Sequence, residues 1–184
     1  LLVFPLDFYR GDKSLSYVQI IKNILSDGLS SLLMKHLRHD KKLVYGVKCL
    51  SSIDFCGTVL QIKLTTLHDN LEKSLHEIFN VLNIYKKKFI GDDMLANIKM
   101  KNILHLRSMC LNNTTNVTSF YSNQYFHQIN KKKPTIYSLE DYESITQNLT
   151  KEKVREYINL YFNPETCSVF YMSNKKVNFG VNDF

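Results

Sequence analysis

The chain has 184 residues, of which 44% are hydrophobic and 22% are charged, and its formal net charge is +7. Its 6 glycines and 3 prolines exclude a collagen-like or low-complexity chain, and its apolar runs are too short to cross a bilayer. This length and composition are typical of one globular domain.

Hydrophobic periodicity predicts strands and helices in the first part of the chain. The expected elements are a strand over residues 1–8, a turn over 11–13, a helix over 14–25 and a second helix that ends near Arg38 or His39. Ser26 and Asp27 are good N-cap residues, so we expect the second helix to begin there. A polar turn over residues 40–42 follows it.

Two strands over residues 44–53 and 57–66 predict a β-hairpin with its turn at 53–57. The residues of the second strand alternate between two sets. One set consists of Thr58, Leu60, Ile62, Leu64 and Thr66, and the other set is mostly polar. One face of this strand therefore packs on the core and the other is exposed to solvent, which indicates an antiparallel sheet.

The rest of the chain predicts helices and one final strand. The helices are expected over residues 69–88, about 92–111, about 114–130, 138–147 and 150–161, and the strand over 166–172. The first of these helices has the clearest amphipathic stripe, formed by Leu71, Leu75, Ile78, Phe79, Leu82 and Tyr85. Because strands and helices come in runs, we predict an α+β fold, with a mostly antiparallel sheet and helices packed on one face.

The basic residues are dispersed along the chain. They cluster at residues 41–42, 86–88, 131–133 and 175–176. Three of these clusters follow helix-like segments, where the helix dipole favours cations. A nucleic-acid surface would interleave basic and aromatic residues on one element. We therefore expect a solvated surface and no nucleic-acid partner, with a basic nucleic-acid-binding module as an alternative.

The sequence contains no self-contained catalytic or metal-binding motif. His76 and Glu77 begin an H-E-x-x-H pattern, but Asn80 stands where the second His is required. His36 and His39 are one turn apart, which is more typical of a helix surface than of a metal site. There is no G-x-S-x-G, no Gly-rich phosphate loop and no C-x-x-C pair. We predict no metal or cofactor ligands in this chain.

Arg38 and Tyr45 are the candidate functional pair. Arg38 lies at a predicted helix end and Tyr45 at the start of the next strand, so a tight turn can bring both to one sheet edge. Guanidinium and phenol groups donate hydrogen bonds that suit carbonyl oxygens or a developing oxyanion. Arg at a helix end usually caps or is solvated, and Tyr in a strand usually packs, so a structural role stays open here.

The residues around this pair resemble a known family. The segment L-S-D-G-L-S-S-L-L-M-K-H-L-R at 25–38, with L-V-Y-G-V at 43–47, resembles the insulinase/pitrilysin family of zinc metallopeptidases. G-T-V-L-Q-I at 57–62, the predicted helix pair over 139–154 and Asn163-Pro164 before the last strand continue the resemblance. It covers residues 1–172.

The resemblance implies the C-terminal domain of one half of such a peptidase, with the metallopeptidase fold that LuxS and mitochondrial processing peptidase share. Residues 1–172 would form this single α+β domain and residues 173–184 a polar tail. The family domain has a further strand and helix before the point that matches Leu1, so we expect both to be missing here. The apolar start at Leu1 is in keeping with a truncated chain.

The resemblance also implies a mechanism. Family members close two similar halves like a clamshell around a polypeptide, and one half carries zinc and a glutamate base in an inverted H-x-x-E-H helix. The opposite half supplies an Arg and a Tyr, which match Arg38 and Tyr45 at the family's spacing. Arg38 would hold a substrate carbonyl and Tyr45 would donate to the tetrahedral intermediate. Zinc would be held by a family domain or subunit outside this chain, in a dimer or a two-half clamshell. The alternative is a non-catalytic family subunit that acts in assembly or substrate binding.

Overall fold

The computed structural model describes residues 1–7, 14–54, 57–111, 113–126, 128 and 135–175. Within these ranges, four strands form one antiparallel sheet in the order β2-β3-β1-β4. The strands are β1 (Leu2–Leu6), β2 (Val44–Asp54), β3 (Gly57–Thr66) and β4 (Ser168–Val169). The central pairing of β1 with β3 brings residues far apart in the sequence into register, with Phe4 opposite Leu60.

Helices connect and cover the strands. The α-helices are α1 (Ser14–Ser26), α2 (Leu71–Lys87), α3 (Asp92–Leu111), α4 (Thr114–Phe126), α5 (Leu139–Gln147) and α6 (Lys151–Tyr161). A π-helix spans Met34–Asp40, and short 3₁₀ helices span His68–Asn70 and Pro164–Thr166. None of the described helices is both long enough and apolar enough to cross a membrane.

One face of the sheet forms the core and the other is open. Phe4, Leu60 and Ile62 are fully buried on the inner face, whereas Lys48 and Lys63 are exposed on the outer face. This is the alternation that the sequence of β3 predicts. Helix α1 packs against β2 and α6 contacts β1. The α+β fold with helices on one face of an antiparallel sheet is therefore confirmed.

An aromatic cluster joins the sheet to two helices. The Phe4 ring of β1 meets Phe162 at the end of α6, with a centroid distance of 5.0 Å, and Phe79 of α2 at 6.4 Å. Both contacts are edge-on, which is a favourable arrangement for aromatic rings. The predicted stripe of α2 faces this core, since Leu75, Ile78 and Phe79 are buried.

The prediction that a helix begins at Ser26 and Asp27 is wrong. Helix α1 continues through Ser26, and the chain is then irregular as far as Ser31. Gly28 has a φ of +86°, a left-handed conformation that ends a helix and that glycine adopts at little cost. The next helical residues are Leu32 and Leu33, and they lead directly into the π-helix.

The predicted final strand over residues 166–172 is also wrong in its length. Pro164–Thr166 forms a 3₁₀ turn, because the Asn163 side chain accepts a hydrogen bond from the Glu165 N–H at 3.1 Å and proline suits the first helical position. The strand that follows contains only Ser168–Val169. The predicted turn over 11–13 lies outside the described residues, as do residue 8 of the first strand, residues 55–56 of the hairpin turn, and residues 127, 129 and 130 of the helix expected to end at 130.

Candidate functional site

Arg38 lies on the π-helix, a rare element that often occurs at functional sites. The wider turn is visible in the hydrogen bond from the Lys41 N–H to the His36 carbonyl, five residues earlier, at 3.0 Å. Leu33 and Leu37 are fully buried on the inner side of this segment. Their burial fixes the helix against the core and leaves Arg38 exposed on its outer side.

A tight turn carries the chain from the π-helix into β2. Lys42 has a φ of 54°, the left-handed conformation that commonly follows a helix end. The Leu43 N–H then donates to the Leu37 carbonyl at 2.8 Å, and the Thr66 hydroxyl donates to the Leu43 carbonyl at 2.6 Å. The turn is thereby attached to the end of β3, and the end of the π-helix is fixed next to the start of β2.

Tyr45 occupies a β-bulge at the start of β2. Val44 lies opposite Thr66 and Gly46 lies opposite Thr65, so Tyr45 has no partner across the ladder. An extra residue in a strand changes the direction of neighbouring side chains. Val44 and Val47 both face the core although they are three residues apart, and Tyr45 between them is 64% exposed.

Arg38 and Tyr45 line the same groove, which has a volume of about 600 Å³. The other residues of its lining are Met34, Gly46, Val47, Lys48, Leu50, Lys63 and Thr65. The groove therefore runs over the outer face of β2 and β3, opposite the helical layer. Three of its described lining residues are cationic and none is acidic, so a carbonyl oxygen or an anion in the groove meets favourable charges.

Both side chains are available to a ligand. Within the described ranges, no hydrogen bond, ion pair or aromatic contact engages the side chain of Arg38 or of Tyr45. The guanidinium has five N–H donors and the phenol has one O–H donor. The structure thus places the two residues that the sequence singled out in the lining of one groove.

An ion-pair cluster attaches the π-helix to α2. The Glu77 carboxylate contacts His36 Nε2 at 2.6 Å and Lys41 Nζ at 3.5 Å. His36 precedes Arg38 in the sequence and Lys41 follows it. Glu77 therefore contacts the segment that carries Arg38 on both sides of that residue. The hydrogen bond from His36 keeps the pKa of Glu77 below its usual value, with a smaller contribution from the charge of Lys41.

Replacing Glu77 by Gln should lower the stability of the protein by an amount that depends on pH. A carboxylate whose pKa is lowered by folding stabilises the protein above its ordinary pKa of 4.5, and this stabilisation is lost as the pH falls through the lower folded-state value. We expect Glu77→Gln to lower the free energy of unfolding by about 1 kcal/mol at neutral pH. The difference from the wild type should shrink as the pH falls below 4.5. Urea unfolding across this pH range measures it.

Glu72→Gln is the matched control, because it removes the same charge from the same helix at an exposed side chain. Its effect should be smaller, within about 0.5 kcal/mol, because Glu72 is exposed in the first turn of α2 and, among the described residues, only the weak contact with His76 at 4.0 Å involves its carboxylate. If the free energies of unfolding of Glu77→Gln and the wild type differ by the same amount throughout the acidic range, the lowered pKa of Glu77 is not caused by its contact with His36.

The described residues do not fit a zinc ion. Among them, no group of three or more His, Cys, Asp and Glu side chains is placed to hold a metal. His36 and Glu77 bond to each other, and burial raises the pKa of the Cys49 thiol to about 12, so it stays protonated. No step of the chemistry is therefore assigned to a metal held by these residues.

Sequence reasoning missed the bulge, the lysines of the groove and the contact of His36 with Glu77. The bulge had one signal, since Val44 and Val47 are three residues apart in a strand whose buried residues should alternate in steps of two. Lys48 and Lys63 lie directly opposite each other on β2 and β3, which becomes clear only when the register is known. Nothing local in the sequence pairs His36 with Glu77.

Comparisons with known proteins show structural matches only. Neither a family model nor a curated protein matches the chain. A solved structure described as a peptidase M16 inactive domain from Pseudomonas fluorescens is similar with a TM-score of 0.73 and 22% identity, over 90% of this chain and 38% of that one. A protein from Bordetella pertussis described as a candidate zinc protease has a TM-score of 0.73 and 14% identity, over 91% of this chain and 88% of that one.

A third similar structure is complex III2 from Candida albicans, in which one chain matches with a TM-score of 0.71 and 12% identity, over 90% of this chain and 40% of that one. The chain therefore spans less than half of the Pseudomonas and Candida chains that it matches. At these identities the likeness establishes the fold. The structural resemblance that the sequence predicts is confirmed, and the chain has the fold of a domain of M16 peptidases, the class of the insulinase/pitrilysin zinc proteases.

Proposed function

We propose that this chain is the C-terminal domain of an insulinase/pitrilysin-like zinc peptidase and that it supplies Arg38 and Tyr45 to a peptide-cleaving site. The observation that carries the proposal is the shared groove, where both donors are exposed and unengaged within the described ranges. A π-helix and a β-bulge position the two residues, and both are irregular elements that concentrate at functional sites.

Each residue has a physical role in this proposal. The Arg38 guanidinium donates to a main-chain carbonyl of an extended polypeptide and so fixes its position in the groove. Tyr45 donates its O–H to the scissile oxygen as negative charge develops there, which stabilises the transition state more than the bound substrate. Lys48 and Lys63 add a positive potential around the same groove.

The rest of the catalytic site would come from a second unit. The polypeptide would lie between the open face of β2 and β3 and a zinc-bearing domain or subunit of the same family. When bound there, zinc would polarise the scissile carbonyl and activate water. The two units would close as a dimer or as two halves of one clamshell, with this chain contributing hydrogen-bond donors.

Arg38→Lys tests the role of the guanidinium in the full protein together with its zinc-bearing unit. Lysine keeps the positive charge but loses the planar fork that places two N–H groups on one acceptor. We expect kcat/KM for peptide cleavage to fall about tenfold. The control is Arg107→Lys, because Arg107 on α3 pairs with Glu143 and lies outside the groove. Equal turnover of the wild type and Arg38→Lys would contradict the role given to Arg38.

The second candidate function is a non-catalytic subunit that acts in assembly or substrate binding. Two observations favour it: a similar structure is described as an inactive domain, and another belongs to complex III2. In that case Arg38 and Tyr45 are remnants of a peptidase. A purified complex that contains this chain but neither metal nor peptidase activity would support this function over the first.

A further inference from the structure

Two lysines on the open face of the sheet lie directly opposite each other. Lys48 on β2 and Lys63 on β3 are cross-strand partners, and both side chains are exposed on the outer face. The Cβ atoms of such partners are only about 5 Å apart, and like charges in this arrangement destabilise a sheet. An anion bound between the two ammonium groups would offset their repulsion. The pair therefore has the geometry of a site that gains stability when it binds a carboxylate.

No carboxylate in the described part of the chain pairs with either lysine. The described ion pairs include neither Lys48 nor Lys63, and the described lining of the groove contains no Asp or Glu. Lys48 also borders a neighbouring hollow that Asp27 lines, but Asp27 pairs with Lys101 at 2.6 Å. Arg38 lines the same groove as the two lysines, so the positive charges there have no counter-ion among the described residues.

The lysine pair lies at a definite distance from the proposed position of cleavage. Tyr45 and Lys48 are three residues apart on β2, which corresponds to about 10 Å along the strand. An extended polypeptide advances by about the same distance in three residues. A substrate that runs along β2 with its scissile bond at Tyr45 would therefore present a side chain about three residues away to the lysine pair.

We propose that Lys48 and Lys63 form a subsite for an acidic side chain of the polypeptide, so that the groove selects substrates with Asp or Glu about three residues from the scissile bond. The inference rests on the function proposed above, because it takes Tyr45 as the position of cleavage. A carboxylate can accept hydrogen bonds from both ammonium groups, whereas a basic side chain is repelled by them. Because both lysines are exposed, salt weakens the contact, which contributes selectivity more than affinity.

Cleavage of matched peptides by the full protein with its zinc-bearing unit tests the subsite. The parent peptide has neutral side chains and an amidated C-terminus, and one Glu replaces one Gln at each position within about five residues of the scissile bond. We expect Glu to raise kcat/KM about fivefold near the third residue from the bond, and this preference to disappear in Lys48→Gln/Lys63→Gln. The preference should shrink at high salt. Lys48→Glu/Lys63→Glu should instead prefer Lys at that position.

The matched control is Lys73→Gln/Lys87→Gln, which removes two positive charges from exposed positions of α2 in the helical layer. It should keep the preference of the wild type for Glu. The inference is overturned if the wild type has no such preference, if the preference survives in Lys48→Gln/Lys63→Gln, or if the control loses it equally. It is also overturned if a Gln peptide with a free C-terminal carboxylate gains as much as the Glu peptide, because the groove would then recognise a chain end.

Binding measured without cleavage separates this inference from the proposed function. Fluorescence anisotropy of the same labelled peptides is measured with the full protein and a zinc chelator, which prevents cleavage. If no peptide is cleaved in the first assay but a Glu peptide still binds about fivefold more tightly than its Gln counterpart through Lys48 and Lys63, the acidic subsite stands and only the proposed function fails. If peptides are cleaved in a way that requires Tyr45 but all of them bind equally, only the subsite fails.

Discussion

Replacing Tyr45 by Phe, in the full protein with its zinc-bearing unit, is expected to lower kcat for peptide cleavage about a hundred- to a thousandfold. The substitution removes only the O–H donor and keeps the ring. The Tyr45 side chain is 64% exposed and its hydroxyl has no described hydrogen-bond partner, so removing the hydroxyl should not disturb folding. Because the donor acts on charge that develops in the transition state, kcat should fall while KM changes little.

Tyr125→Phe is the control for this measurement, because Tyr125 is also exposed but lies on α4, away from the groove. It should cleave peptides at the wild-type rate. Zinc content and thermal unfolding should be the same in both variants and the wild type. If Tyr45→Phe keeps full turnover, the proposed transition-state contact is wrong and the non-catalytic alternative gains support.

Replacing Phe162 by Ala is expected to lower the free energy of unfolding by about 3–5 kcal/mol. Phe162 is 1% exposed, and its ring packs edge-on against Phe4 of the central strand β1. The substitution removes this contact and leaves a cavity where α6 meets the sheet. Since small domains are stable by only about 5–15 kcal/mol, the variant should be close to unfolding.

Leu160→Ala provides the comparison for Phe162→Ala. Leu160 lies on α6, two residues before Phe162, but it is 59% exposed and buries little apolar surface. Its change in stability should be within about 0.5 kcal/mol of zero. Denaturant unfolding of both variants measures the difference, and similar midpoints for the two would contradict the position of Phe162 in the core.

The regular elements of the fold could be predicted because their periodicity is local. The two-residue alternation of β3 and the stripe of α2 are properties of short stretches of sequence, and both match the observed burial. The order of strands and helices followed from the same patterns. The pairing of β1 with β3 connects distant parts of the chain, and single-strand periodicity does not encode it.

The irregular elements were missed because their causes are tertiary. A seven-residue π-helix forms where Leu37 is buried and Glu77 on α2 pairs with His36 and Lys41. This helix was predicted to start too early because Ser26 and Asp27 are good capping residues. In the structure, the positive φ of Gly28 follows the end of α1, and the next helix starts later. Such competing local signals are resolved only by packing.

The candidate site was predictable in part. The spacing of Arg38 and Tyr45 was visible in the sequence, but their types alone left capping and packing roles open, and the resemblance to a peptidase family made the functional interpretation specific. The structure adds the cationic groove and the bulge at Tyr45. The contact between His36 and Glu77 spans 41 residues, so no local pattern could reveal it.

Photo-crosslinking at position 45 tests most directly whether a substrate chain occupies this groove. A benzophenone amino acid would replace Tyr45 in the full protein, and in a matched variant it would replace Tyr125 on α4. With a labelled extended peptide, we predict light-dependent capture at position 45 that an unlabelled substrate suppresses, and no specific capture at position 125. Equal capture at both positions, or none at position 45, would contradict the proposal that Arg38 and Tyr45 face a bound polypeptide.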